Sequence, residues 1–290
     1  MSLHAQIEAH SRKLSEEGFC IIPHAIPQAS VAALYRDLSP VFAATPPSIG
    51  PFYGSGTRRF GSLLKRSRHA AAFVQNALII GIVERALGPW CDQFQLNLTQ
   101  AIELAPGSAM QPPHRDQDMW GGPKGQVEYL VNVMWPFTDY TVANGATRLW
   151  KGSHRRQDEI LLPEEDAIFA EMEPGSALLF LGSTLHGGSP NLSQAARRGM
   201  IVSYCLGWLK PYENQWLAYP PAIARHFSPE LARLVGYFQH RPNLGNYEGR
   251  CPSILLQDEV PALPGARDEL LPAQEALIAA YLAGELQAAA

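Results

Sequence analysis

Charge is scarce in this chain and almost balanced. Only 17% of its 290 residues are Asp, Glu, Lys or Arg, and the net charge at neutral pH is −4. Such a surface lacks the broad basic footprint that nucleic acid or an acidic membrane needs, so neither is expected as a partner. Cysteine is rarer still. Cys20, Cys91, Cys205 and Cys251 stand far apart with no CxxC pair. That excludes a zinc ribbon or a disulfide frame and points to free thiols in a reducing compartment. No basic-then-apolar leader opens the chain, and its most apolar stretch, residues 77–83, is much too short to cross a bilayer. A cytoplasmic protein is the expectation. Disorder is excluded too, because 46% of the residues are hydrophobic and supply a sizeable core.

Gly and Pro, by contrast, are plentiful, with 24 of each separating short apolar runs. Residues 4–17 read as an amphipathic helix stopped by Gly18, residues 19–22 as a buried strand, and residues 27–42 as a second helix. A loop over 45–56 precedes helical pattern from 62 to 87. From Cys91 the period changes to two. Residues 94–104 alternate as a half-buried strand, and strands are expected at 109–116, 127–137, 146–150, 166–172, 177–182 and 197–209. Helical pattern returns over 213–238 and 266–286. Many short strands between turns argue for a sandwich or barrel. The fold expected is mainly β with flanking α-helices, a jelly roll (double-stranded β-helix, cupin-like), in one unit over 1–290. Its parts are helical to about 90, jelly roll over 91–210, and helical again beyond 211.

Within this frame one short run carries chemistry. His114-Arg115-Asp116 offers an imidazole and a carboxylate one residue apart, which extended chain projects to the same side. His186 offers a second imidazole. Two histidines and one carboxylate cap one face of an octahedral metal and leave the opposite face open, the arrangement used by non-haem Fe(II) oxygenases. Taken alone, His-x-Asp is common by chance. The added element is Arg197-Arg198, at the start of an apolar run, because an arginine fork binds a carboxylate through two parallel hydrogen bonds. Three ligands, an open face and a carboxylate clamp describe a site for iron and a 2-oxo acid. Residues Arg58, Arg59, Lys65, Arg66 and Arg68 cluster elsewhere. They read as a solvated helix face first and an anion-binding mouth second.

Longer motifs carry a resemblance. Gln111-Pro-Pro-His114-Arg-Asp116, Asn144-Gly-Ala-Thr147 leading to Gly152-Ser-His154, and His186-Gly-Gly-Ser-Pro-Asn191 with Arg197-Arg198 resemble the phytanoyl-CoA dioxygenase family of Fe(II)/2-oxoglutarate enzymes. The likeness is closest to the branch that tailors fungal and bacterial natural products, including meroterpenoids and alkaloids. Weaker echoes are Thr57-Arg58-Arg59, Glu213-Asn214-Gln215 and Glu248-Gly249-Arg250, so the likeness spans about 15–256. Lys151 departs from it, where the pattern has Pro before Gly-Ser-His.

The resemblance implies His114, Asp116 and His186 as iron ligands and catalytic centre. It makes Arg197 the clamp on 2-oxoglutarate, with Gln111 and Thr147 as further co-substrate contacts. Strand geometry lets only one of the two adjacent arginines face inward, which leaves Arg198 for solvent. Fe(II), 2-oxoglutarate and O2 are the implied cofactors. The implied reaction is hydroxylation or desaturation of a C–H bond in a small hydrophobic metabolite, releasing succinate and CO2. An acyl-CoA substrate is the alternative, if the basic cluster binds phosphate. Asp116 argues against a halogenase, in which Gly or Ala here makes room for halide. A zinc hydrolase has no need of Arg197, and a non-enzymatic binding protein on the same barrel would not consume 2-oxoglutarate. Trp120, Tyr53 and Arg58 are the candidate substrate contacts, although large aromatics are more often core. A homodimer with C-terminal segments near the site mouth is also implied.

Overall fold

The structure, a computed structural model, describes residues 1–286. Its main sheet is antiparallel and contains β1 (Phe19–Ile22), β2 (Thr57–Gly61), β3 (Phe94–Leu104) and β4 (Leu130–Pro136). A smaller sheet holds β5 (Thr147–Trp150) and β6 (Ala167–Ala170). The chain then returns to the main sheet as β7 (Ala177–Leu181), to the small one as β8 (His186–Gly188), and to the main one as β9 (Arg197–Leu206). The orders are β1-β7-β4-β9-β3-β2 and β6-β5-β8. The two sheets form an open jelly-roll sandwich and do not close into a barrel.

The main sheet is covered on both faces. On its outer face lie α1 (Leu3–Glu17), α2 (Gln28–Ala44) and α4 (Ala77–Leu87), with the short α3 (Ala70–Val74) before α4. Helix α2 presents Val31, Leu34, Leu38 and Phe42 at helical spacing, all buried. Each such side chain contributes about 1.5–3 kcal/mol by leaving water. They join Leu96, Val131, Val133, Trp135, Val202 and Tyr204 of the sheet in one core. The inner face packs on the small sheet, where Leu98, Ile102, Leu104, Met134, Phe180 and Ile201 meet Ala146, Leu149 and Ala170. Burial on both faces explains the apolar run of β4, which only Asn132 interrupts.

The same burial corrects the half-buried reading of β3, whose polar outer positions are covered as well. Thr99 Oγ1 accepts the Leu63 amide at 3.0 Å, and Glu103 accepts from both Arg58 and Arg198. Other boundaries shift for identifiable reasons. The helical pattern over 62–87 breaks at Asn76, whose side chain caps α4 by accepting from the amides of Leu78 and Ile79. Prolines split the pattern over 213–238 into α5 (Gln215–Ala218), α6 (Pro221–Ala224) and α7 (Pro229–Leu234). The last helix, α8, is Pro272–Leu282. Residues 109–116 do not form a regular strand. Pro112 and Pro113 have no amide to donate, and a single bridge at His114 is what remains.

Gly18 ties the N-terminal helix to the site. It ends α1 at φ +87°, and a Cβ there would meet Thr184 Oγ1 at 2.6 Å. The Thr184 hydroxyl instead donates to the Gly18 carbonyl at 2.8 Å, two residues before His186.

Candidate functional site

His114, Asp116 and His186 meet between the two sheets. The His114 and His186 backbones exchange both hydrogen bonds of an antiparallel bridge, at 2.9 and 3.0 Å, extending the small sheet beyond β8. Gln111 adds its amide to the Gly188 carbonyl at 3.0 Å, and Arg148 of β5 holds the Gln111 carbonyl at 2.8 Å. Arg115 is extended, at φ −117° and ψ 124°, so the side chains on either side of it share one face. One potential ligand atom from each of the three residues lies within 4.8 Å of the others.

Each imidazole is oriented by its own segment. His114 Nδ1 lies 3.0 Å from the Pro112 carbonyl, and His186 Nδ1 lies 3.0 Å from the Thr184 carbonyl. A proton on each Nδ1 leaves both Nε2 atoms free as donors to a metal. Those Nε2 atoms face the carboxylate, 3.3 Å from Asp116 Oδ1 and 3.6 Å from Oδ2 respectively. Asn132 Nδ2 donates to Oδ2 at 2.9 Å, fixing the carboxylate rotamer from β4.

The electrostatics suit a cation. Burial pushes the Asp116 carboxyl up, but His186, His114 and the Asn132 bond together outweigh it and hold the group at about 2. Burial, then the neighbouring His114, pushes the His186 imidazole down to about 4. His186 is thus a neutral ring and Asp116 an anion at neutral pH, the protonation states that ligation requires. The donor set, two nitrogens and one carboxylate oxygen with fixed second partners, fits a ferrous ion.

The three residues sit in a cavity of about 440 Å³ that also contains Gln111, Thr147, Arg197, Arg59 and Tyr53. Arg197 is buried, with its guanidinium carbon 3.7 Å above the Tyr140 ring. Its Nε has no partner among the described residues. A buried guanidinium with an open hydrogen-bonding edge is a place for an anion. Its neighbour Arg198 points to the opposite face. There it binds Glu103 at 2.6 Å and the Tyr35 hydroxyl at 2.7 Å, under α2 instead of free in solvent.

Two expected substrate contacts lie elsewhere. Arg58 faces outward on β2 and pairs with Glu103, so it does not line the cavity. Strand alternation turns Arg59 inward instead, where Nη1 donates to Gln100 at 3.2 Å and Nε is unpartnered among the described residues. The expected solvated helix face over 58–68 is therefore a strand at its start. Trp120 is absent from the cavity lining; its indole donates to the Lys210 carbonyl at 3.0 Å and bolts that loop in place. Tyr53 does line the cavity, and its hydroxyl meets that of Tyr212 across the mouth. Trp135, Tyr140 and Trp150 are fully buried core.

Asn132 and Tyr212 are not among the residues expected from sequence, and Arg59 is expected only as part of the basic cluster. The one available signal was for Asn132, a lone amide within the apolar run of β4.

A further acid, half-buried, sits against the Ser183 turn. Glu128 accepts from the Ser183 hydroxyl at 2.5 Å and from the Ser183 amide at 3.3 Å. Burial nonetheless raises its carboxyl to about 7, well above the value for an unfolded Glu. The folded chain thus holds this proton more tightly. The contribution to stability is full below the unfolded pKa of about 4.5 and is lost as pH rises through 7. Glu128→Gln should therefore gain thermal stability relative to the wild type between pH 5 and pH 8. Parallel melting curves across that range check it, and a constant difference would contradict it.

A jelly-roll sandwich carrying two histidines and a carboxylate beside a buried guanidinium defines the class of non-haem iron, 2-oxo-acid-dependent oxygenases. The family model described as phytanoyl-CoA dioxygenase (PhyH) matches residues 14–199, and the chain belongs to that family. Among curated relatives, dioxygenase olcK of Penicillium canescens is 30% identical over 245 residues, covering 80% of this chain and 81% of the relative. Solved structures share the fold at lower identity. SnoN, an epimerase in complex with Fe3+, alpha ketoglutarate and nogalamycin RO, is 14% identical with a TM-score of 0.59. The match covers 71% of this chain and 85% of SnoN. HygX from Streptomyces hygroscopicus, with nickel and 2-oxoglutarate bound, is 16% identical with a TM-score of 0.57. Here the match covers 71% of this chain and 89% of HygX.

Proposed function

We propose that the chain oxidises a C–H bond of a small, largely hydrophobic metabolite, by hydroxylation or desaturation, using Fe(II), 2-oxoglutarate and O2. His114, Asp116 and His186 are the ligands in this reading. The observation that carries it is their convergence in the cavity that also holds the unpaired edge of Arg197. A bound ferrous ion and 2-oxo acid would supply the oxidising power, with succinate and CO2 as co-products.

The protein's own work is positioning. Arg197 takes the distal carboxylate of 2-oxoglutarate from the main sheet, with Gln111 and Thr147 lining the same cavity from the small sheet. Arg59 adds a second positive group, which suits a co-substrate carrying two carboxylates. Both Nδ1–carbonyl contacts and Asn132 keep the donor atoms aimed inward before any ligand arrives. Leu98, Met119, Leu130, Met134 and Ile201 give the rest of the cavity an apolar lining that excludes water and favours a hydrophobic substrate. Tyr53 and Tyr212 close the mouth. The acyl-CoA alternative would rest on the exposed Lys65, Arg66 and Arg68, since Arg58 is committed to Glu103.

The fold neighbours SnoN and HygX are described with antibiotic-type molecules or with 2-oxoglutarate, which supports a metabolite-tailoring role. Free cysteines and the absence, among the described residues, of a helix fit to cross a membrane support a cytoplasmic location. A second copy of the chain is the proposed partner, since α8 buries no residue of its own. The test is anaerobic loading with Fe(II), then O2, 2-oxoglutarate and metabolite extracts. Succinate release should accompany a product that has gained an oxygen atom or lost two hydrogens. Turnover that is independent of 2-oxoglutarate or of O2 would defeat the proposal.

A further inference from the structure

Arg115 stands between two proposed ligands yet faces away from them, and its side chain is buried. Its guanidinium bonds to main chain alone, through four hydrogen bonds. Nε donates to the Ser183 carbonyl at 3.1 Å, Nη1 to Glu159 at 3.0 Å, and Nη2 to Ser153 at 3.3 Å and Arg156 at 3.0 Å. No carboxylate pairs with it among the described residues, and burial lowers its pKa. A buried cation satisfied only by carbonyl dipoles is costly and adds little to stability by itself.

The location of those carbonyls gives it a use. Ser183 lies three residues before His186, on the same turn whose Thr184 carbonyl orients the His186 ring. Ser153 reaches that turn from the other side, its hydroxyl accepting the Leu185 amide at 2.9 Å. Ser183 is also gripped from behind by Glu128. The segment bearing His114 and Asp116 is therefore joined to the segment bearing His186 at several points, among them the Gln111 amide on the Gly188 carbonyl at 3.0 Å and the Gln117 amide on the Gly182 carbonyl at 3.1 Å. In front is the His114–His186 backbone bridge. Behind is the Arg115 fork, a planar five-donor group that no other side chain can imitate.

We infer that Arg115 is a positioning residue that sets the spacing of the metal-binding face by clamping the Ser183 turn and the 153–159 loop to the His114–Asp116 segment. The inference rests on the His114, Asp116 and His186 reading and reaches beyond it to a residue whose guanidinium is bonded to main-chain carbonyls and to none of those three side chains. Lysine keeps the charge here but, with one nitrogen, cannot reach four carbonyls on two separate segments. Methionine keeps the bulk and loses every bond.

The experiment titrates metal-free wild type, Arg115→Lys and Arg115→Met with cobalt(II) alone, following affinity and the visible d–d spectrum. Far-UV circular dichroism and melting curves accompany each sample. Arg241→Met serves as a matched control, since it breaks a pair with the largely buried Asp92 side chain outside the cavity. Both Arg115 variants should fold, bind cobalt about 10- to 100-fold more weakly, and show an altered spectrum, with Lys the milder. The control should keep wild-type affinity at whatever melting temperature it shows. Wild-type affinity and spectrum in both Arg115 variants would overturn the inference. So would failure of both to fold, or an equal loss in the control. A wild-type chain that takes up no cobalt defeats the metal reading itself, a result distinguishable from either.

Discussion

Asp116→Ala should leave a folded chain that retains no iron through desalting and releases no succinate from 2-oxoglutarate. The expectation follows from charge and geometry together. Asp116 supplies the only negative charge of the proposed face, and both imidazole Nε2 atoms point at it. Without it the two rings, 4.3 Å apart between centroids, face each other with nothing to balance a divalent cation. Asn132→Leu tests the same point one step removed. It frees the carboxylate to rotate and should cost about 10- to 100-fold in metal affinity, as loss of an orienting partner commonly does. Metal content by elemental analysis, read beside circular dichroism, checks both. An Asp116→Ala protein that keeps stoichiometric iron would be inconsistent with the assignment.

Arg197→Gln should raise the KM for 2-oxoglutarate by about 30-fold to several thousand-fold, the range set by 2–5 kcal/mol for losing one partner of a buried charged pair. Arg198→Gln should change that KM little. The reason is the difference in surroundings. The Arg197 guanidinium is buried over Tyr140 with its Nε open, whereas Arg198 is already bound to Glu103 and Tyr35. The Arg198 change should instead lower the melting temperature, because it leaves the buried Glu103 with Arg58 alone. Steady-state kinetics with 2-oxoglutarate as the varied substrate separates the two. Similar KM values for both variants would undo the choice of Arg197.

Much of this site is legible in the sequence because its spacing is local. His114 and Asp116 share a face for the simple reason that extended chain alternates. The same rule places the two arginines on opposite sides. Which of them faces inward depends on register, since Arg197 pairs across from Leu104 on the cavity side of β3. That fact belongs to the assembled sheet. The arginines of β2 show the cost of missing an element. Without a recognised strand there, Arg58 and Arg59 look equivalent, and the outward one is chosen. Residues 109–116 mislead in the other direction, because apolar and polar residues suggest a strand that two prolines cannot complete. Arg115 is invisible for a different reason. Its partners are backbone carbonyls at 153–159 and 183, and carbonyls leave no trace in residue identity.

Where a metal binds decides the chemistry of this chain. Crystals grown anaerobically with ferrous iron, with anomalous data collected on both sides of the iron absorption edge, put that question directly. One strong peak within coordination distance of His114 Nε2, His186 Nε2 and an Asp116 carboxylate oxygen is the predicted result. Iron found at another place in the chain, with these three side chains left unligated, would contradict it.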